Sequence, residues 1–188
     1  MSVSLYKARE DMTGMAFSFS RGLDQKTKEP RLYIEALKQA SWNSKTKNGS
    51  FKESKDDPSK NIRSKFNLFE AGEIIRVLQN GGEWSSFHAF ENDKTSIKVC
   101  TKPRKVKTST KNKKTGKYED KWIEVPAYTF SMVRNGSLSF GIGITQGEAE
   151  VICEYLKMII TDALKVRDEE TQKRLKDSQK NQGEDAPF

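Results

Sequence analysis

Two stretches of this chain repeat one another. Phe66-Asn-Leu-Phe-Glu70-Ala71-Gly-Glu-Ile74-Ile-Arg-Val-Leu78 and Ile144-Thr-Gln-Gly-Glu148-Ala149-Glu-Val-Ile152-Cys-Glu-Tyr-Leu156 carry Glu, Ala, Ile and Leu in the same register. Each is the start of an amphipathic helix. In the first, Ala71, Ile74, Ile75 and Leu78 recur at three- and four-residue spacing, which predicts a helix over about 68–79. Asn67 with Glu70 is a capping-box start, and Asn80-Gly81-Gly82 is the stop. In the second, Ala149, Ile152, Leu156, Ile159, Ile160 and Ala163 form the stripe of a helix over about 146–164, opened by Thr145 and Glu148.

Strand patterns precede each helix. Met15 to Ser20 alternates apolar and small polar residues, and Leu32 to Ala40 is a second candidate. Lys47 to Lys52 is expected to pair with it across Asn48-Gly49, a tight-turn signal. After the first helix come Ser85–Phe90 and Thr95–Thr101, then a hairpin of Tyr128–Arg134 and Ser137–Ile144 around Asn135-Gly136. The order strands-helix, strands-helix predicts an α+β fold of two antiparallel sheets with helices packed on one face. Gly141 and Gly143 give the last strand one face of small residues, suited to close approach by a partner.

The 188 residues suffice for one domain, expected over 1–165, with 166–188 as a flexible tail of too little apolar surface to fold alone. The net charge of +8 suits a polyanionic partner. It is unevenly spread: Lys102 to Lys121 holds nine Lys or Arg against two acids, whereas Val166 to Phe188 holds five bases and six acids. Lys113-Lys114-Thr-Gly116-Lys117 has the look of a hairpin tip. Cys100 and Cys153 lack metal or disulfide spacing and are expected to be buried free thiols. No apolar run reaches membrane-spanning length, and Met1 to Glu10 lacks a secretory h-region, so a cytoplasmic location is expected. One histidine, His88, sits in an alternating segment and is read as structural. Without phosphate-loop or metal-ligand motifs, the expectation is a non-enzymatic protein without cofactor or metal.

Basic residues interleave with aromatics in three places: Trp42, Lys45, Lys47, Phe51 and Lys52; Lys117, Tyr118, Lys121 and Trp122; Tyr128, Phe130 and Arg134. Rings can stack on unpaired bases while cations meet phosphates. Lys98, Lys102, Arg104, Lys105, Lys107, Lys111, Lys113 and Lys114 extend the candidate nucleic-acid surface. The competing reading is that Trp42, Trp122, Tyr128 and Phe130 are core residues. Trp122, beside a charged hairpin, is read as exposed.

Several of these segments resemble the Whirly single-stranded-DNA-binding fold. Lys65-Phe-Asn-Leu-Phe-Glu70-Ala-Gly72 and Ser85-Ser-Phe-His88 look like its first helix and following strand. Thr95 to Pro103, Tyr128 to Val133 and the Ile144-Thr145 helix start continue the order over about residues 12–165. Kinetoplastid mitochondrial RNA-binding proteins have a similar fold. The resemblance implies two four-stranded sheets, each followed by a helix. It also implies single-stranded nucleic acid bound along sheet surfaces and edges, and tetramers assembled through helices. Thr13-Gly14-Met15-Ala16-Phe17-Ser18 stands where the plant family carries Lys-Gly-Lys-Ala-Ala-Leu, keeping Gly14 and Ala16 but neither lysine. Arg104 to Val125 is an insertion relative to that family.

The chain ends in Glu184-Asp185-Ala-Pro187-Phe188, which resembles the Asp-Asp-Ile-Pro-Phe tip of bacterial single-stranded-DNA-binding proteins. That resemblance implies recruitment of replication or recombination enzymes through Glu184, Asp185, Pro187 and Phe188, and a phage-encoded or bacterial origin. Together these readings predict a sequence-tolerant single-stranded-DNA-binding protein acting as a dimer or tetramer. The alternatives are an RNA-binding or annealing protein, a transcriptional regulator and a structural scaffold.

Overall fold

The computed structural model describes residues 1–111 and 118–184. Strands β1 (Ser2–Lys7), β2 (Met15–Leu23), β3 (Pro30–Lys38), the short β4 (Ser41–Asn43) and β5 (Asn48–Ser50), and β6 (Asn61–Phe66) lead into helix α1 (Leu68–Asn80). Then β7 (Glu83–Phe90), β8 (Asp93–Thr101), β9 (Arg104–Lys111), β10 (Tyr118–Val125), β11 (Ala127–Arg134) and β12 (Leu138–Thr145) lead into helix α2 (Gln146–Glu184). Two four-stranded antiparallel sheets result, in the orders β1-β2-β3-β6 and β12-β11-β8-β7. Strands β4 with β5, and β9 with β10, form separate two-stranded ribbons. The α+β pattern of two sheets, each followed by a helix, is the one the pseudo-repeat predicts.

Alternation decides which face of each sheet is buried. Phe17 and Phe19 of β2 and Leu32, Ile34 and Ala36 of β3 point inward, as do Ile97, Val99, Phe130, Met132, Phe140 and Ile142 of the second sheet. The Phe130 ring meets Phe17 edge-on at 5.6 Å between centroids and Phe19 at 5.7 Å, locking sheet to sheet. Helix residues Ala71, Ile74, Val77, Ile152, Leu156 and Ile159 complete the same core.

Both helix starts form as their residues predict. Glu70 N donates to Asn67 Oδ1 at 3.0 Å while Asn67 N donates to Glu70 Oε2 at 2.9 Å. Thr145 N reaches Glu148 Oε2 at 2.8 Å, and Glu148 N reaches Thr145 Oγ1 at 3.3 Å. Each box satisfies backbone donors that the first helical turn leaves without partners. Burial pushes the Glu148 carboxyl up, but the Lys7 ammonium and Thr145 together hold it below its ordinary value.

Three expectations are corrected. Strands β1 and β6 complete the first sheet, although the seven Lys or Arg over 45–65 make that stretch read from sequence as a loop or an extended hairpin outside the sheets. In β6, Ile62, Ser64 and Phe66 point inward while Asn61, Arg63 and Lys65 point out, so its charged face conceals an alternating strand. The segment after β3 does not pair back onto it: β5 pairs with β4, and Asn48-Gly49 lies within β5. The turn is set by Asn43 instead, whose Oδ1 accepts from the Lys45 and Thr46 amides at 3.0 and 3.1 Å. Finally, α2 continues past Leu164 to Glu184. No Gly or Pro interrupts 148–182, and adding residues to a formed helix requires no new nucleus. Glu29, almost wholly buried, anchors this extension by accepting from Arg167 Nη2 at 2.6 Å while also meeting Arg31 Nη2 at 2.7 Å.

Among the described residues, no helix is long and apolar enough to cross a membrane. They contain no cluster of His, Cys, Asp or Glu suited to a metal ion.

Candidate nucleic-acid interface

The insertion of 104–125 is a two-stranded antiparallel ribbon standing apart from both sheets. Its register sets Trp122 opposite Lys107 and Glu124 opposite Lys105. Directly opposed residues share a face, and so do residues two apart along one strand. Tyr118, Trp122, Lys105 and Lys107 therefore lie on one face. Tyr118 is 72% exposed and Trp122 64%, so neither ring is used for packing. At about 3.4 Å per residue the two rings stand roughly 13–14 Å apart along the strand. Between them Asp120 accepts from Lys107 Nζ at 2.6 Å and from Ser109 Oγ, and these partners lower its pKa below the ordinary value. The exposed Lys121 and Arg104 project from the other face.

The ribbon is rooted in the second sheet: Lys102 N donates to Ala127 O at 2.8 Å. At the root lies an open groove of about 640 Å³ between the β1–β2 turn and β11–β12. Lys7, Arg9, Lys102 and Arg104 line it, with Gly141, Gly143 and Thr129 from the outer face of the sheet. A Cβ added at Gly141 or Gly143 would meet nothing within 4 Å, so the small-residue face read from the sequence is open. Gly14, on the turn beside it, is required by packing. A Cβ there would come within 2.1 Å of the Gln39 side-chain oxygen, which accepts from Arg9 N at 2.8 Å and fixes the turn.

Other predicted residues are scattered or buried. Tyr128 is core, 7% exposed, and burial pushes its phenol up. Phe130 is fully buried. Phe51 is also buried: the segment after β5 folds onto the outer face of the first sheet, where Phe51 covers the neighbouring Ala16 and Leu37. Those two side chains leave the face apolar at one end, and a ring from the polar segment closes it. Trp42 is half-buried, with its indole nitrogen enclosed and no hydrogen-bond partner, while Lys45, Lys47 and Lys52 are exposed around it. Lys98 pairs with Glu83 at 2.9 Å, which offsets its charge. Arg134 donates to Pro58 O and lies 3.8 Å from Asp93. Lys113, Lys114 and Lys117, the side chain of Lys111, and Asp185, Pro187 and Phe188 lie outside the described residues. Glu184 is described only as the last residue of α2.

The structure thus gathers Lys102, Arg104, Lys105, Lys107, Tyr118, Lys121 and Trp122 into one arm with the groove at its base. Lys7 and Arg9 were absent from the sequence prediction, although the exposed Tyr6 beside Lys7 gave them the same pattern of ring and cation as the segments that were chosen. Phe87 and Phe90, 60% and 75% exposed, were also absent. Half of their signal was present: residues three apart on a strand face opposite sides, so at most one of the two could point at the core, and Phe90 is exposed because it closes the strand.

Together, the two sheets and their helices define a Whirly-like fold. WHY1 from Arabidopsis thaliana superposes with a TM-score of 0.53 at 13% identity, covering 100% of this chain and 95% of its own. WHY3 from the same plant gives 0.50 at 13% identity, covering 87% and 88%. The plant transcriptional regulator PBF-2 gives 0.51 at 14% identity, covering 87% and 90%. No family model matches the chain, and no curated protein matches it.

Proposed function

We propose that this chain is a non-enzymatic, sequence-tolerant binder of single-stranded DNA, serving replication, recombination or repair. The observation that carries the reading is the pairing of two exposed rings, Tyr118 and Trp122, with Lys105 and Lys107 on one face of the ribbon. Two such rings on one face of a ribbon that packs on neither sheet form an exposed aromatic surface. Unpaired bases stack on such rings, contributing roughly 1–3 kcal/mol each, while Lys105, in no ion pair among the described residues, meets a phosphate and Lys107 does so by exchanging Asp120 for it. A duplex hides its base faces, so the arrangement favours a single strand. Lys102 and Arg104 at the root lead the strand into the groove floored by Gly141 and Gly143. Replacing Tyr118 and Trp122 by Ala should weaken oligo-dT binding by about tenfold or more without altering the fold. Unchanged affinity overturns this assignment of the site.

The reading includes a recruiting role for Glu184, Asp185, Pro187 and Phe188 and assembly into a dimer or tetramer. The tip's sequence supports the first, since an acidic, aromatic-ended segment suits a basic pocket on a partner. Pull-down of replication proteins should be lost on Phe188→Ala, and retention overturns this part. Light scattering on the full chain reads the assembly directly, and a monomer at all concentrations contradicts it.

A second reading is transcriptional regulation, favoured by the fold shared with PBF-2, a plant transcriptional regulator. Footprinting on promoter duplexes separates it from the first.

A further inference from the structure

Asp120 lies on the same face of the β9–β10 ribbon as Tyr118 and Trp122, two residues from each. Its side chain is 49% exposed. Glu124 shares this face, but it lies beyond Trp122 and outside the gap between the rings. We propose that Asp120 is a base-reading residue, whose carboxylate accepts from the Watson–Crick edge of a guanine held between the two rings. The proposal rests on the binding of single strands by the ribbon, and names the one position at which an otherwise tolerant site selects a base.

Spacing puts a base at this position. Tyr118 and Trp122 stand roughly 13–14 Å apart along the strand. A stacked nucleic-acid strand advances about 3.4 Å per nucleotide, so the gap takes roughly four steps, and about half as many in a strand drawn out to twice that rise. In either case at least one base lies between the two that stack on the rings. Asp120 offers that base no ring, so it meets the base by its edge.

The acid has room for new donors. An ionised carboxylate only accepts, at about four positions. Lys107 Nζ, at 2.6 Å, and Ser109 Oγ fill two of them. When Lys107 turns to a phosphate, Asp120 loses its cation beside an anionic strand and keeps Ser109. Replacement donors then have to come from the base. Guanine carries two adjacent donors on its Watson–Crick edge, N1–H and the N2 amine, which match the two carboxylate oxygens. Cytosine and adenine offer one amine with a ring acceptor beside it, and thymine one N–H between two carbonyls. Those acceptors face the carboxylate and are repelled by it. An acid in the middle of an aromatic face opposes most strands, and a guanine turns that opposition into a contact.

The test titrates the full-length wild type, an Asp120→Asn variant and a Tyr118→Ala/Trp122→Ala variant with labelled DNA strands of one length. One strand is all thymine, and the others carry isolated guanines, adenines or inosines in thymine. Inosine keeps the ring system and N1–H of guanine but lacks the N2 amine, so it separates edge reading from purine stacking. Circular dichroism checks each fold. Wild type should favour the guanine strand over the all-thymine strand by about fivefold or more, with adenine and inosine falling clearly towards thymine. Asp120→Asn should bind the all-thymine strand at least as tightly as wild type, because Lys107 is released to phosphate. Its affinities for the guanine and thymine strands should agree within about twofold, because its amide sets an amine against one guanine donor. If wild type binds the guanine and inosine strands alike, or Asp120→Asn keeps the guanine preference, the assignment of Asp120 falls. Weakening of every strand by Tyr118→Ala/Trp122→Ala then leaves the ribbon reading standing. If the wild type binds no strand, both fall.

Discussion

His88 Nε2 stands 2.6 Å from Glu70 Oε1, joining strand β7 to the first turn of α1. The same oxygen accepts from Ser86 Oγ at 2.7 Å, and the other carboxylate oxygen caps the helix through Asn67 N. Burial pushes the Glu70 carboxyl up, but His88, Ser86 and Asn67 together hold it below its ordinary value of 4.5. The capping box thus doubles as the joint between the two halves of the pseudo-repeat.

From this joint comes a pH dependence. The folded carboxyl titrates below the unfolded one, so its stabilisation is complete above the unfolded value and is lost as pH falls towards the folded one. Glu70→Gln should cost about 1–2 kcal/mol near neutrality and flatten the loss of stability below about pH 4.5. Urea midpoints across that range measure both. An acid limb of equal slope in wild type and variant contradicts the account.

Phe130 is the ring on which Phe17 and Phe19 converge from the opposite sheet. Phe130→Ala should destabilise the chain by about 3–5 kcal/mol, combining lost burial with a cavity between sheets that cannot close. Equilibrium unfolding gives the value directly. A change under about 1 kcal/mol would mean the sheets are held together elsewhere.

The long α2 is tied to the first sheet by Arg167 and Glu29. Arg167→Ala leaves Arg31 on the carboxylate, so the global cost should be only about 1–2 kcal/mol. The local effect should be larger: amide exchange over 168–178 should speed up markedly while that of 149–163 holds. Uniform exchange along the helix contradicts the anchoring role.

Cys153 is buried and its thiol is pushed up to about 11, first by desolvation. Cys100 is half-buried on the outer row of the second sheet. Iodoacetamide at neutral pH should therefore label Cys100 in the folded protein and reach Cys153 only after denaturation. Labelling of Cys153 first would contradict the packing described for α2.

Local chemistry explains which parts of this architecture were legible. Helix starts depend on residues three apart, so Asn67 with Glu70 and Thr145 with Glu148 could be read directly. The hairpin at Asn135-Gly136 was equally local, because both residues adopt positive φ, of 52° and 69°. Strand β6 was hidden because Arg63 and Lys65 face solvent and dominate a count of charge. The burial of Phe51 and Tyr128 depended on which surface each ring would meet, and that is decided by distant residues. The ribbon was recognisable from its charge, but the meeting of Asp120 with Lys107 needed the register of its two strands.

The most direct test of the central claim is competition between poly-dT and a duplex for the full chain, repeated over a range of salt. The account predicts clear preference for the single strand. It also predicts an affinity that falls with a log-log slope of about −0.7 for each phosphate neutralised. Equal affinity for the two forms, or none for either, would contradict it.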